Sequence, residues 1–205
     1  MKKQKIWILI LSCLALVACG KEKTEEATKP NSELKASVHT SIEDVTYDQA
    51  IKEADLIAEV KIGKVNDIVE GGNNIVAKTK FEGSIEKVYT GSKKSNEAIY
   101  VLQEGKEGME IEDYPLFQSG ETYILMLMDS GDGKTFWIKG QVNGTYFVDG
   151  DATLKFGDTE PTLPEKKDIS ALDENIIEKQ EETANNSQVL DTEAFQLQLE
   201  KDVKE

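Results

Sequence analysis

Carboxylates are the only chemically versatile side chains that this sequence supplies in number. Its 39 Asp and Glu stand beside one histidine, His39, and two cysteines, Cys13 and Cys19. A nucleophilic triad or histidine-based acid–base catalysis needs an imidazole next to its partners. His39 instead lies in a polar stretch with no suitable neighbour, where it reads as a solvated linker residue. Zinc sites of Cys/His type fail for the same reason, and no phosphate-cradling or dinucleotide fingerprint opens a helix after a strand. A glycosidase would need two carboxylates about 5–9 Å apart in a sugar-sized cleft, and carboxylates this common single out no pair. One constellation is more specific. Asp129-Ser130-Gly131-Asp132-Gly133 reads as a hairpin turn, and a second reversal at Gly140–Gly144 would return the chain so that Asp149-Gly150-Asp151 shares its pole. Asp129, Asp132, Asp149 and Asp151 would then offer oxygen ligands to a hard cation. Ordinary turns built from αL-tolerant residues are the favoured reading. The expectation is therefore a chain with no catalytic residues, no cofactor, and a metal site resting only on those four weak candidates.

The charge balance narrows the partners. All 24 basic residues are lysine, and the formal net charge is −15. Residues 1–18 carry Lys2, Lys3 and Lys5, so a chain cut after Ala18 would stand at −18. Such a surface repels nucleic acid phosphates, which rules out nucleic acid as a partner. The N-terminus itself has three parts: the basic residues just named, an apolar run from Ile6 to Ala18, and small residues at its end. That is the pattern of a secretory signal. The run of 13 residues falls short of the ~20 that a membrane-crossing helix requires.

Leu16-Val17-Ala18-Cys19, followed by Gly20, resembles the lipobox of bacterial lipoproteins, of Gram-positive type. The resemblance implies a signal peptide over residues 1–18, a diacylglyceryl thioether on Cys19, and cleavage between Ala18 and Cys19. It further implies palmitate-like acyl chains and residence at the cell membrane, lipid-anchored on the extracytoplasmic face. Two chains are what the physics asks for: at ~0.8 kcal/mol per buried methylene, one chain binds only marginally. Cys13 lies in the segment to be removed, so the mature chain would hold one cysteine, already alkylated, and no internal disulfide. Residues 19–41 then form the lipidated cysteine and a flexible tether, with a reach on the order of 25 Å as a coil.

Residues 42–158 carry the alternation of a half-buried sheet. Thr46-Tyr47-Asp48-Gln49 fits a capping box at the head of a short helix through about Ala54. Ala58, Val60 and Ile62 then alternate with polar residues towards Val69. Gly71-Gly72-Asn73-Asn74 reads as a turn. Ala77, Thr79, Phe81, Gly83 and Ile85 mark one face of a second strand, whose parity breaks at Val88, predicting a bulge near Glu86-Lys87. Ile99–Leu102, Thr122–Met128, Thr135–Lys139, Thr145–Val148 and Thr153–Phe156 follow. Thr122–Met128 is apolar on both faces and should be the most buried, Leu125 with it. Met109, Tyr114, Pro115, Leu116 and Phe117 form either a contact patch or, more often for such residues, a minor core.

This set predicts a mainly β fold, a small antiparallel barrel or sandwich with a leading helix. The ordered segments A-D-L-I-A-E-V (54–60), T-K-F-E-G-S-I-E-K-V-Y-T-G (79–91), P-L-F-Q-S-G-E-T-Y-I-L-M-L (115–127) and G-Q-V-N-G-T-Y-F-V (140–148) resemble small secreted OB-like domains of uncharacterised function. These are similar to the barrel of netrin-like and metalloprotease-inhibitor N-domains. The match spans residues 46–150 and its motifs are strand cores and turns. The inhibitors' reactive N-terminal cysteine and disulfides have no counterpart here. Residues 159–205 form an acidic, partly helical extension. Ile169, Leu172, Ile176 and Ile177 keep helical spacing with Ser170 as N-cap. Phe195, Leu199 and Val203 repeat every four residues, while Phe195, Leu197 and Leu199 alternate, leaving helix or strand open. The expected role is a membrane-tethered, non-enzymatic binding module with an envelope or secreted protein as its partner. The alternatives are an extracytoplasmic hydrolase using carboxylates, or an inhibitor-like protein docking on an exported protease.

Overall fold

The computed structural model describes residues 45–72, 75–184 and 186–205. The lipobox, Cys19, His39 and the tether lie outside the described residues, as do Asn73 and Asn74 of the expected turn. The fold is mainly β, with eight strands and three α-helices among those residues.

Helix α1 (Tyr47–Glu53) opens on Thr46, whose hydroxyl accepts from Gln49 N at 3.3 Å while Gln49 Oε1 accepts from Thr46 N at 3.3 Å. This reciprocal pairing satisfies two of the amides that a helix start leaves orphaned. β1 (Leu56–Val69) and β2 (Lys78–Thr90) then pair antiparallel. Ala58 faces Val88 and Glu59 faces Lys87, but Val60 faces Ile85, so Glu86 is left over as a bulge where the sequence parity breaks. β3 (Ala98–Glu104), β4 (Thr122–Asp129) and β5 (Thr135–Ile138) complete a ring in the order β1-β2-β3-β5-β4, closed by β4 on β1.

The expectation of a wholly antiparallel barrel needs one correction. β3 and β5 pair in parallel, Leu102 beside Trp137. A ring of five strands cannot alternate direction all the way round, so one neighbouring pair must run the same way. The 105–121 connection decides which pair. By carrying β4 across to β1, it leaves the hairpin partner β5 beside β3.

The inward residues of each strand fill the ring: Leu56, Ala58, Val60 and Ile62 from β1, Phe81 and Ile85 from β2, Ile99 and Val101 from β3, Tyr123, Leu125 and Leu127 from β4, Phe136 and Ile138 from β5. Gly83 faces the same interior, where a Cβ would stand 2.8 Å from Val60 Cγ1. The 105–121 connection adds Ile111, Tyr114 and Phe117 to this core, with the Phe117 and Tyr123 rings 4.3 Å apart. The apolar loop residues thus fold under, and Met109 alone of the large ones stays exposed.

β6 (Thr145–Asp149) gives the second correction. The chain does not reverse at Gly140–Gly144; it makes one 3-10 turn (Gln141–Gly144) and resumes its former direction along the same edge of β4. Leu127 faces Ile138, while Leu125, two residues back, faces Thr145, seven residues on. β5 and β6 are thus one strand interrupted by a five-residue excursion.

β7 (Ala152–Phe156) pairs with β6, and the sequence extension is built into the sheet rather than laid upon it. β8 (Ser187–Asp191), which the sequence did not reveal, adds a strand to β7 with five paired residues. Segment 163–166 covers the other edge of β8 through Asp191 N to Pro164 O and Lys166 N to Val189 O, each at 3.0 Å. α2 spans Glu174–Glu182 with Asp173, not Ser170, as its N-cap. Ser170 instead donates to Asp168, whose short side chain closes a local turn before the helix can begin. α3 (Thr192–Asp202) settles the open question as helix: Phe195 and Leu199 are buried and Leu197 is exposed. With α1 it covers the outer face of β1, β4 and β6 in a second core of Val45, Tyr47, Ile57, Ile124, Met126, Tyr146, Leu163, Leu190, Phe195 and Leu199. Among the described residues no helix is long and apolar enough to cross a membrane.

Candidate functional site

The four aspartates expected at one pole are separated. Asp129 ends β4 opposite Phe136, whereas Val148, next to Asp149, pairs with Thr122 at the start of β4. Seven residues of strand at about 3.3 Å each hold the two turns roughly 23 Å apart. The cause is the uninterrupted direction of β5 and β6. Each carboxylate also has local work. Asp129 Oδ1 accepts from Gly131 N and Gly133 N at 2.7 and 3.0 Å. Asp132 accepts from Thr135 N, Lys134 N and the Thr135 hydroxyl, and these donors hold its carboxyl down to about 2. Asp149 accepts from Asn175 Nδ2 at 2.9 Å, and Asp151 pairs with Lys166 at 2.8 Å. Among the described residues no cluster of three or more His, Cys, Asp or Glu is placed to hold a metal ion.

Carboxylates do converge at the other end of the barrel. A cleft of about 290 Å³ lies between α2 and the facing parts of β4 and β6, lined among others by Gln118, Glu121, Phe147, Asp149, Lys179 and Glu182. Lys179, its side chain only 4% exposed, reaches Glu121 at 2.7 Å and Glu182 at 2.9 Å. Its ammonium also stands 5.6 Å over the Phe147 ring. Glu121 turns its second oxygen to Tyr123 Oη at 2.6 Å and Gln118 N at 2.7 Å. Burial, with the Glu121 charge beside it, pushes the Tyr123 hydroxyl well up. Two carboxylates flank one position, but both oxygens of Glu121 are held by protein partners. A general acid must carry its proton towards a substrate, and this geometry directs Glu121 inward instead. What the triad does is fasten α2, whose Ile176 enters the barrel core, over the barrel end.

The outer wall of the barrel offers a different arrangement. Helices α1 and α3 cover one side of it, α3 reaching β2 at Lys87 through Gln196 and Glu200; among the described residues, the Lys78–Glu82 end of β2, β3 and β5 contribute nothing to the helix-covered core. Because Ile99 and Val101 point inward, Tyr100 and Leu102 stand outward, and because Phe136 and Ile138 point inward, so does Trp137 stand outward. Register sets Lys80 beside Leu102 and Leu102 beside Trp137, with Tyr100 one step along. All four are half-buried. Lys80 Nζ lies 4.2 Å over the Tyr100 ring, Lys78 pairs with Glu104 at 2.7 Å, and Lys64 pairs with Glu82 at 3.6 Å. The turn with Asp132 and Lys134 borders the wall, since Tyr100 N donates to Lys134 O at 2.8 Å. The result is a patch of two diagonal aromatic rings and an aliphatic side chain set among paired charges.

No family model matches this chain, and no curated protein matches its sequence.

Sequence reasoning missed both groupings. The Glu121–Lys179 pair joins residues 58 apart, and nothing local marks it. The wall was closer to hand. Ile99-Tyr100-Val101-Leu102 and Phe136-Trp137-Ile138 are strands of known parity, so assigning Phe136 and Ile138 inward would have put Trp137 outside.

Proposed function

We propose that this chain is a membrane-anchored extracytoplasmic lipoprotein whose barrel acts as a non-enzymatic binding module through the wall around Tyr100, Leu102 and Trp137. The observation that carries the reading is that wall: Tyr100, Leu102 and Trp137 stand outward as one patch on neighbouring strands, apart from the core that α1 and α3 cover among the described residues. Large outward rings on a rigid sheet give a partner contact area at little entropic cost, because the sheet fixes their backbones beforehand. The anchoring half of the reading rests on Leu16-Val17-Ala18-Cys19 behind a basic, then apolar, leader. An OB-like barrel is supported by the strand order β1-β2-β3-β5-β4 with closure on β1 and the single parallel pair β3–β5. The hydrolase alternative would draw on the cleft beside Glu121 and Glu182, and the engagement of Glu121 by Lys179, Tyr123 and Gln118 weighs against it.

Two measurements test the two halves. Cys19→Ala should abolish incorporation of labelled fatty acid and leave the precursor uncut or the product released from the membrane. Label retained on that variant refutes the anchor. A photo-crosslinking residue at Leu102 should capture a partner on intact cells, and the same residue at exposed Ile177 on α2 should not. Equal capture at both positions, or none at Leu102, refutes the wall as the binding surface.

A further inference from the structure

We infer that residues 33–38 add a strand to the free edge of β1, so that the tether is fastened to the barrel just before the fold begins. The inference stands independently of the binding wall and of lipid on Cys19. It joins an open sheet edge to a segment of this chain with the pattern and the reach to fill it.

β1 outruns its second partner. It pairs with β4 from Leu56 to Lys61, and the last bonds on that side are Ile62 N to Glu121 O and Gly120 N to Ile62 O, each at 2.8 Å. From Gly63 to Val69 it pairs with β2 alone among the described residues. Such an edge presents a row of N–H and C=O groups that template another strand. The side chains show the same gap. Ile62, Val65 and Ile68 lie opposite Gly83, Phe81 and Thr79, all three of them buried, so they share the inner face. Yet Val65 is 51% exposed where Phe81 is 2% exposed. Asn66 is left over as a bulge, after which Asp67 stands opposite Lys80 on the outer face, as Lys64 does beside Glu82.

The chain ahead of the described residues has the complementary pattern. Leu34, Ala36 and Val38 alternate with Glu33, Lys35 and Ser37, between Pro30-Asn31-Ser32 and His39-Thr40-Ser41. Alternation bounded by turn-forming residues is the signature of a half-buried strand. Run antiparallel to β1 with the bulge kept, one register matches both faces. Leu34 comes beside Ile68 and Ala36 beside Val65 on the inner face, with Val38 at the Gly63 end. Lys35 comes beside Asp67 and Ser37 beside Lys64 on the outer face. A slip of one residue would part Lys35 from Asp67 and turn the apolar set to solvent.

The reach suffices. Val45 lies against Gly140, two residues beyond Ile138, which lines up through Leu127 with Leu56. Two strand spacings across and about five residues along separate that point from Gly63, roughly 20 Å. The seven steps from Val38 to Val45 span up to about 23–25 Å when extended. A chain arriving at Val45 from the Val69 end also runs in the antiparallel direction. Fastened in this way, a tether that starts at Cys19 keeps only residues 20–32 free, a coil reach of about 20 Å.

Hydrogen exchange read by mass spectrometry on the full chain in detergent tests the docking. Amides of 33–38 should exchange about tenfold or more slowly than those of 21–28, a stretch without the alternation. Ala36→Pro removes a donor from the middle of the added strand and leaves every described residue unchanged, so the barrel still folds. It should return 33–38 to the rate of 21–28 and speed exchange within 63–69. Lys35→Asp should weaken the protection by about 2- to 5-fold, and Lys35→Asp together with Asp67→Lys should restore it. Exchange at 33–38 as fast as at 21–28 overturns the inference. Protection that survives Ala36→Pro, or that vanishes with no change in 63–69, puts the segment elsewhere and overturns it equally. Protection that falls on dilution assigns the strand to a second copy and overturns pairing within one chain. Failure of the charge exchange to restore protection overturns the register.

Discussion

Replacing Lys179 with methionine keeps the aliphatic stem that fills the space over Phe147 and deletes only the ammonium. The structure sets the size of the effect. Lys179 is almost wholly buried and Glu121 is 16% exposed, so the Glu121 carboxylate would lose the counter-charge that Lys179 gives it without regaining water. Breaking a buried pair from one side costs about 3–5 kcal/mol. Two considerations lower that figure. Glu121 keeps the Tyr123 hydroxyl and Gln118 N–H as donors, and Glu182, 41% exposed, returns to solvent at little cost. The expected loss is therefore about 2–3 kcal/mol. Urea unfolding of Lys179→Met, Glu121→Gln and the double variant measures it, the double variant being needed to isolate the pairwise part. The double variant should lose about 1 kcal/mol or more less than the two single losses combined, because neither partner is then left alone. A single loss under about half a kcal/mol, or strict additivity, would show that α2 is held by Ile176 and the Asn175–Asp149 bond and not by the triad.

Other expectations follow from single positions. Tyr146 is fully buried and its hydroxyl has no hydrogen-bond partner among the described residues, so Tyr146→Phe should raise stability by about 1 kcal/mol or more in urea unfolding; a loss instead would reveal a bond to that hydroxyl. Leu125 is fully buried at the centre of β4, and Leu125→Ala should cost about 2–5 kcal/mol in the same assay, a cost under half a kcal/mol contradicting the core assignment. Glu59, above its ordinary range first through burial and then through Glu86, is disfavoured in its charged form by the fold. Its contribution to stability is full below the unfolded carboxylate value and is lost as pH rises through the higher folded value. Glu59→Gln should remove that fall from the pH–stability curve, and an unchanged curve would refute the shift.

How far the sequence could be read depends on which physical signal each element carries. Thr122–Met128 announces itself because only a strand buried on both faces tolerates such a run, and the inner and outer cores do claim its alternate residues. The capping box and the Glu86 bulge are equally local, the first a matter of residues three apart, the second of broken parity. The aspartate pole failed because Gly140 and Asn143-Gly144 mark a loop without stating the direction in which the chain leaves it. β5 has only four residues, and the rest of the β4 edge was open for the same strand to resume. β8 was hidden by Gln188, which is buried where an apolar residue would have signalled a strand. It is accommodated by two bonds to the Glu160 backbone, Glu160 N to Gln188 Oε1 at 2.9 Å and Gln188 Nε2 to Glu160 O at 3.2 Å. The outward rings were hidden for the opposite reason: apolar residues on both sides of Tyr100 and Trp137 make a continuous run in which parity is hard to see.

The second core joins residues from far apart in the chain. Tyr47 of α1 donates to Asp202 of α3 at 3.1 Å, and Phe195 stacks on Tyr146 with ring centroids 4.8 Å apart. For a chain delivered N-terminus first, this sets an order of events. The barrel ring can close once β5 has emerged, but the outer faces of Ile57, Ile124 and Met126 have only the α1 side of their core until residues near 199 arrive. Closing loops of that length is slow compared with local pairing. Until then the most apolar strand is fully covered on its inner side and only partly on its outer side. Helix α3, with Phe195 and Leu199 buried against that side, is the clasp that completes the cover.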